Sequence, residues 1–158
     1  EVVLPKTSSA TPQNFPLLRY SDVLLMFAEA ENEVNQGPTA AAYEAINLVR
    51  RRGYGKLADG ATNINQHDLS GLDYVGFSDE IQDERSRELA FEQLRKADLI
   101  RWGVFVNTMN AVGREIDQVV SNAYYAKGFH NVTDRHLLWP IPRNEMTLNS
   151  ALVQNPKW

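Results

Sequence analysis

Five apolar side chains, Val23, Met26, Phe27, Ala30 and Val34, recur at i, i+3, i+4, i+7 and i+11. Only a helix gathers that spacing onto one stripe, so this part of the chain is committed to a helix with a face to bury. The Gly37-Pro38 pair stops it. Thr39 can cap a second helix in which Ala42, Ala45, Ile46 and Val49 face one way, with Gly53 expected to supply the left-handed residue at its end. Two helices joined by so short a turn pack antiparallel. Beyond them, Tyr54 to Phe77 is glycine-rich without a sustained period, so an irregular loop is expected, with one short helical turn around Gln66 to Leu69.

Asp79 followed by Gln82 has capping-box spacing and predicts a long helix through Arg101, closed by Gly103. A fourth helix follows, in which Phe105, Met109, Val112, Ile116, Val119 and Val120 keep the helical stripe despite Gly113. Tyr124 to His136 reads as a second surface loop. In Leu137 to Pro142 two prolines at spacing two enforce an extended path, expected to lie as a strap across the helices. The fold class is therefore all-α: an antiparallel, TPR-like hairpin, a long charged helix and a fourth helix, with long loops and a proline-containing strap. A period of about 34 residues, the mark of a helical repeat array, does not recur after the first pair.

Composition narrows the function. The chain has 158 residues, a net charge of -4 and no cysteine. Excess acid disfavours nucleic acid as a partner. Without cysteine there is no disulfide, thiolate metal site or cysteine nucleophile. The longest apolar run, Val23 to Ala30, is too short to span a bilayer and contains Glu29. Residues 1–16, rich in Ser, Thr, Pro and Asn, read as an extended lead-in without a targeting segment.

The predicted third helix, Asp79 to Arg101, holds seven acidic and five basic residues. On a helical projection Ile81, Leu89, Phe91 and Leu99 define its core face, yet Glu88 and Glu92 fall within about 20° of the centre of that face, beside Arg85 and Arg95. Two carboxylates one turn apart could divide acid and base roles in a glycosidase-like reaction. Two neighbours on one helix, each beside an arginine, would however both stay ionised, and they do not face one another across a substrate. A partly buried ionic network of Arg85, Glu88, Glu92 and Arg95, reaching Arg19 or Arg50, is the better reading. No catalytic residue is assigned. His67, His130 and His136 have no metal-ligand spacing, and no phosphate loop or nucleophile elbow occurs, so neither a metal nor a cofactor is expected.

Four blocks together resemble the C-terminal part of the SusD/RagB family of surface glycan-binding lipoproteins. The first is Leu18 to Leu25 with Phe27 to Glu33, and its partner is Ala45 to Arg52. The third runs Glu84-Arg85-Ser86-Arg87-Glu88-Leu89-Ala90-Phe91-Glu92, then Arg95, Asp98-Leu99 and Arg101-Trp102-Gly103; the last is Pro140-Ile141-Pro142 with Glu145 and Gln154-Asn155-Pro156. Gln93 stands where the family usually has glycine, and Lys157-Trp158 replaces its usual glycine-tyrosine ending. The resemblance covers residues 17–158 and implies a piece of a larger fold, since family members are several times longer, with a lipidated N-terminal cysteine and tetratricopeptide-like helices before this region.

It also implies a non-catalytic role: an outer-membrane, cell-surface lipoprotein that captures oligosaccharide or polysaccharide and passes it to a SusC-like TonB-dependent transporter. The alternative is a helical scaffold that docks the transporter or the missing N-terminal region without binding glycan itself. The Glu84 to Trp102 block resembles a scaffold signature, so no binding residue is carried over from it. A sugar site needs an exposed aromatic platform with polar groups at its edge. The candidates outside predicted helices are Tyr54, Tyr74, Phe77, Tyr124, Tyr125, Phe129 and His130. The pair Tyr124-Tyr125 is favoured, with Asn122, Lys127 and Asn131 as hydroxyl partners and Phe129, His130 and Tyr74 as further contacts. Trp102 and Trp139 are expected to be packing residues.

Overall fold

In the computed structural model, residues 16–121 and 123–158 are described, and every regular element among them is helical. The expected lead-in therefore lies, apart from Pro16, outside the described residues. The helices form two compact units, one ending at Glu92 and the other beginning at Gln93.

The first unit contains α1 (Tyr20–Asn35), α2 (Ala40–Gly53) and α3 (Tyr74–Glu88). Leu25 and Ala28 of α1, Ala42, Ala45, Ile46 and Val49 of α2, and Phe77 and Ile81 of α3 make one buried core. Tyr43 meets Phe77 edge to face at 5.0 Å between ring centroids. The apolar face of α2 is the one its periodicity predicts. For α1 the expectation fails: Val23, Met26, Phe27 and Val34 are exposed, and the helix buries Ser21, Asp22, Leu25, Ala28 and Asn32 instead.

Local chemistry sets the helix ends. Thr39 Oγ1 accepts from the Ala42 amide at 3.1 Å, as capping requires. The left-handed residue after α1 is Gln36 (φ 52°), one before Gly37. After α2 it is Gly55 (φ 69°), whereas Gly53 stays helical, which corrects its predicted role. The loop between α2 and α3 forms two hydrogen-bonded turns that overlap the predicted one, the Gln66 amide donating to the Asn63 carbonyl at 3.0 Å and the Asp68 amide to the Asn65 carbonyl at 3.2 Å, without becoming a regular helix. Its backbone is held by polar side chains of α2 at i, i+4 and i+7. The Tyr43 hydroxyl accepts from the Leu72 amide at 2.6 Å, Asn47 exchanges two hydrogen bonds with the Leu69 backbone, and Arg50 donates to the His67 carbonyl at 2.9 Å. These bonds pair backbone groups of a partly buried stretch of the loop.

The single long charged helix does not exist. Asp73, not Asp79, caps α3, accepting from the Gly76 amide at 2.8 Å, so Tyr74 and Phe77 are helical rather than loop residues. The helix stops at Glu88, and Phe91 (φ 67°) and Gln93 (φ 64°) take the left-handed conformation before α4 (Arg95–Arg101) begins. Two left-handed residues in three cannot be accommodated in a helix. The break leaves Phe91 fully exposed, although a continuous projection puts it in the core. Position 93, where the family usually has glycine, is thus one whose backbone favours glycine.

In the second unit α4 is closed by left-handed Gly103 (φ 73°) and leads to α5 (Phe105–Val119). Leu99, Phe105 and Val132 form its buried cluster, with Ile100, Trp102, Val104, Val106 and Met109 packed around them. The stretch expected as a second loop instead folds α6 (Ala126–His130) and a 3-10 turn, Asp134–Leu137. Gly113 explains itself here: a Cβ at that position would lie 2.9 Å from His130 Cε1 and 3.1 Å from Phe129 Cβ, so α6 can approach α5 only over a glycine. The segment after Leu137 is extended, and a further short helix, α7 (Arg143–Leu148), follows Pro142. Gln154 exchanges two hydrogen bonds with the Ile141 backbone, at 2.8 and 2.9 Å, and Asn155 donates to the Trp139 carbonyl at 2.6 Å. The Gln154-Asn155 pair of the C-terminal block therefore pins the proline segment.

Candidate functional site

Acidic and basic side chains are paired within the first unit, and the pairs define what its carboxylates can do. Arg19 donates through Nε to both oxygens of Glu92 at 2.9 Å and through Nη1 to Glu88. Arg52 also donates to Glu88, and Arg50 donates to Glu84 at 2.9 Å. Arg85 Nη1 donates to Asp22 at 2.8 Å, with both side chains buried. Burial pushes the Glu88 carboxyl up, but hydrogen bonds from Arg19, Ser21 and Arg52 more than offset it and hold the group below its ordinary value. The Arg19 guanidinium, gripped first by Glu92 and then by Glu88, is held above its own. Arg19 thus bridges the two carboxylates, and Glu88, held below its ordinary value, has no proton to give near neutral pH. Arg95 lies in the second unit, its guanidinium 5.8 Å from the centroid of the Trp102 ring.

The second unit carries the aromatic candidates. Tyr124 and Tyr125, just before α6, meet edge to face at 5.6 Å between centroids, and both are exposed. Tyr125 also lines a surface hollow of about 280 Å³ with Glu115, Ile116, Val119 and Val120 from the end of α5. Val119 and Val120, predicted to continue the core stripe of that helix, are exposed at its rim. Phe129 is half-buried beside Gly113, and exposed His130 is engaged by Asp117 at 2.7 Å. Both are anchors of α6 on α5 rather than loop residues. Lys127 and Asn131 are exposed, while Asn122 lies outside the described residues.

The remaining candidates lie in the first unit. Tyr74 opens α3, and its hydroxyl donates to Glu33 at 2.8 Å; that bond, with some desolvation, holds the phenol above its ordinary pKa. Phe77 is fully buried and is a core residue. Tyr54 stacks on His67 at 4.0 Å between centroids. Trp139 is a surface aromatic that the sequence does not mark as a candidate. Trp139, expected to pack, is 74% exposed, with the Lys96 ammonium 4.0 Å from its ring centroid. Nothing in the local spacing of a proline segment signals that outcome. Among the described residues no His, Asp and Glu side chains gather as a metal site would need, and no helix is long and apolar enough to cross a membrane.

Every regular element among the described residues is helical, and the acidic and basic side chains of the Glu84 to Glu92 block tie α1, α2 and α3 together. The sequence matches the SusD family over residues 3–158, and the chain belongs to that family. SusD-like protein P25 of Formosa agariphila is 37% identical over 139 residues, which are 88% of this chain and 23% of that protein. SusD-like protein P38 of the same organism is 30% identical over 142 residues, 90% of this chain and 24% of that protein. The crystal structure of a SusD homolog from Bacteroides thetaiotaomicron superposes with a TM-score of 0.79 at 44% identity, covering 90% of this chain and 26% of that one. The chain thus spans about a quarter of the length of these relatives.

Proposed function

We propose that this chain belongs to a non-catalytic component of an outer-membrane nutrient uptake system, which captures oligosaccharide or polysaccharide at the cell surface and delivers it to a SusC-like TonB-dependent transporter. The observation that carries the glycan part is the exposed Tyr124-Tyr125 pair beside the hollow at the end of α5. A sugar ring offers apolar C–H faces ringed by hydroxyls. Tyrosine rings present matching apolar faces, Glu115 shares the hollow with Tyr125, and the exposed Lys127 and Asn131 are the further donors and acceptors we assign to the site. The pairing of Glu88 and Glu92 with Arg19 supports the non-catalytic part, since two carboxylates bridged by one guanidinium do not face one another across an open substrate site.

The test is isothermal titration of the chain against a panel of soluble polysaccharides, with the Tyr124→Ala/Tyr125→Ala double variant and, separately, Trp139→Ala. Saturable binding without hydrolysis, lost in the tyrosine variant and kept in Trp139→Ala, is the expected result. Loss only in Trp139→Ala moves the platform to the proline segment. No binding by a folded chain moves it out of this segment altogether and leaves the scaffold role. Hydrolysis abolished by Glu88→Gln in a folded chain would overturn the non-catalytic assignment.

A further inference from the structure

The second unit holds an ammonium that no carboxylate neutralises. Residues 93–158 carry eight lysines and arginines against five aspartates and glutamates, so this unit is net basic in a chain that is net acidic. Three of the five carboxylates are committed: Asp98 to Arg101 at 2.9 Å, Asp117 to His130 at 2.7 Å and Asp134 to Lys157 at 2.8 Å. Lys96, the second residue of α4, is half-buried, with its ammonium 4.0 Å from the centroid of the Trp139 ring and 5.5 Å from that of Phe105. An ammonium has three N–H donors, and no oxygen of the described residues accepts from this one. The rings attract its charge but leave donors open.

Trp139 is the other half of the arrangement. Its side chain is largely exposed, and its indole N–H, unlike that of Trp158, has no acceptor among the described residues. The backbone beneath it is fixed. Pro140 confines Trp139 to extended conformations, Asn155 donates to its carbonyl at 2.6 Å, and Gln154 exchanges two hydrogen bonds with Ile141. A flat apolar face is therefore held in place beside an unpaired positive charge.

We propose that Lys96 and Trp139 form a binding site for an acidic saccharide, one whose sugar ring carries a carboxylate. The C–H face of the ring packs on the exposed part of the indole, and the carboxylate reaches the ammonium past the indole edge. In a uronic acid the carboxylate is bonded to the ring itself, so stacking fixes where the charge goes. An acidic peptide brings its carboxylate on a flexible stem and without a flat face to stack. The inference rests on the reading of the chain as a saccharide-binding protein and adds a site distinct from the Tyr124-Tyr125 pair. A neutral sugar gains nothing from the ammonium, which is why Trp139→Ala keeps the binding of neutral polysaccharide.

Isothermal titration with trigalacturonate, maltotriose and a glutamate tripeptide of the same net charge as trigalacturonate tests this. Trigalacturonate should bind about tenfold or more tightly than either of the others and should weaken as salt is raised. Lys96→Met, which keeps the stem and removes the charge, and Trp139→Ala should each weaken trigalacturonate about tenfold, while Lys96→Arg should not. In the unchanged chain, nuclear magnetic resonance should show the Trp139 indole N–H shifting as trigalacturonate is added, a readout that requires no variant to fold. An indole signal that stays still, or a folded Lys96→Met that binds like the unchanged chain, overturns the proposal. Equal affinity for trigalacturonate and maltotriose, or binding of a neutral polysaccharide but not of trigalacturonate, overturns it and leaves saccharide binding intact. Binding of no saccharide at all overturns both. The glutamate tripeptide binding as tightly as trigalacturonate overturns it in favour of an acidic protein segment.

Discussion

Replacing Asp22 with asparagine should unfold the first unit far more readily than its single-atom change implies. Arg85 Nη1 lies 2.8 Å from Asp22 Oδ1, and the two side chains are 4% and 9% exposed. Asparagine keeps the shape and an accepting oxygen but removes the charge, leaving a guanidinium where water scarcely reaches. Removing one partner of a buried pair costs about 3–5 kcal/mol, and the retained acceptor places Asp22→Asn at about 3 kcal/mol. Against a total of about 5–15 kcal/mol for an ordinary domain, that is a large share. Urea unfolding followed by far-UV circular dichroism reads it as a lower midpoint at unchanged slope. Lys157→Ala is the comparison: Lys157 and Asp134 are also 2.8 Å apart, but 59% and 65% exposed, so its loss should stay within about 0.5 kcal/mol. The apolar double variant Asp22→Leu/Arg85→Met should recover most of the stability lost in Asp22→Asn, because it removes both desolvated charges. A cost below about 1 kcal/mol for Asp22→Asn would refute the reasoning, since it would mean that the Arg85 guanidinium does not depend on the Asp22 charge.

Acid should weaken the first unit in a defined window. Because the folded pKa of Glu88 lies below its unfolded value, its contribution is complete above about pH 4.3 and is lost as pH falls through the lower folded value. The urea midpoint should hold from pH 7 to about 5 and then fall, less steeply in Glu88→Gln; a midpoint that rises on acidification counts against the Arg19 bridge. Gln93→Gly should stabilise the chain by about 1 kcal/mol, measured by thermal unfolding, because it relieves a left-handed residue with a Cβ at φ 64°. Gly113→Ala should destabilise despite a gain of about 1 kcal/mol in helix propensity, because the new methyl meets Phe129 and His130. Nuclear magnetic resonance of the His130 ring should then show it released from Asp117. Gln154→Ala should cost about 1–2 kcal/mol and speed proteolysis near Ile141, as two backbone bonds of the proline segment are lost.

Some of the charged block was legible and some was not. That Glu88 and Glu92 sit beside arginines follows from their crowding in the sequence, which offers Arg19 and Arg50 as partners from other elements. The helix projection used to place them is wrong, because α3 ends at Glu88 and Glu92 lies in the turn beyond it. The two carboxylates meet through Arg19, whose guanidinium reaches both. A projection assumes a continuous helix, and no Gly or Pro near residue 90 announces the break. The only sign was Gln93 itself, at a position where the family usually has glycine.

The aromatic candidates divide for a similar reason. A loop expectation treats every aromatic within it as available, but Asp73 capped α3 early and put Phe77 in the core. Folding of α6 set Phe129 and His130 against Gly113 and Asp117, leaving Tyr124 and Tyr125 exposed. Trp139 shows the reverse: its apolar bulk suggests burial, while its place in an extended segment leaves it on the surface.

By itself the sequence determined the all-helical class, the α1–α2 hairpin with its Thr39 cap, the core face of α2 and the stop at Gly103. Each rests on interactions within a few residues, where spacing and turn chemistry suffice. Tertiary structure alone decided which side of α1 is buried, where the charged segment breaks, and which carboxylates Arg19 bridges. Those depend on partners distant in sequence. The apolar spacing of α1 marks the stripe that ends outside, and only the packing of α2 and α3 against Leu25 and Ala28, with Asp22 paired to Arg85 and Asn32 bonded to the Tyr74 carbonyl, selects the other side.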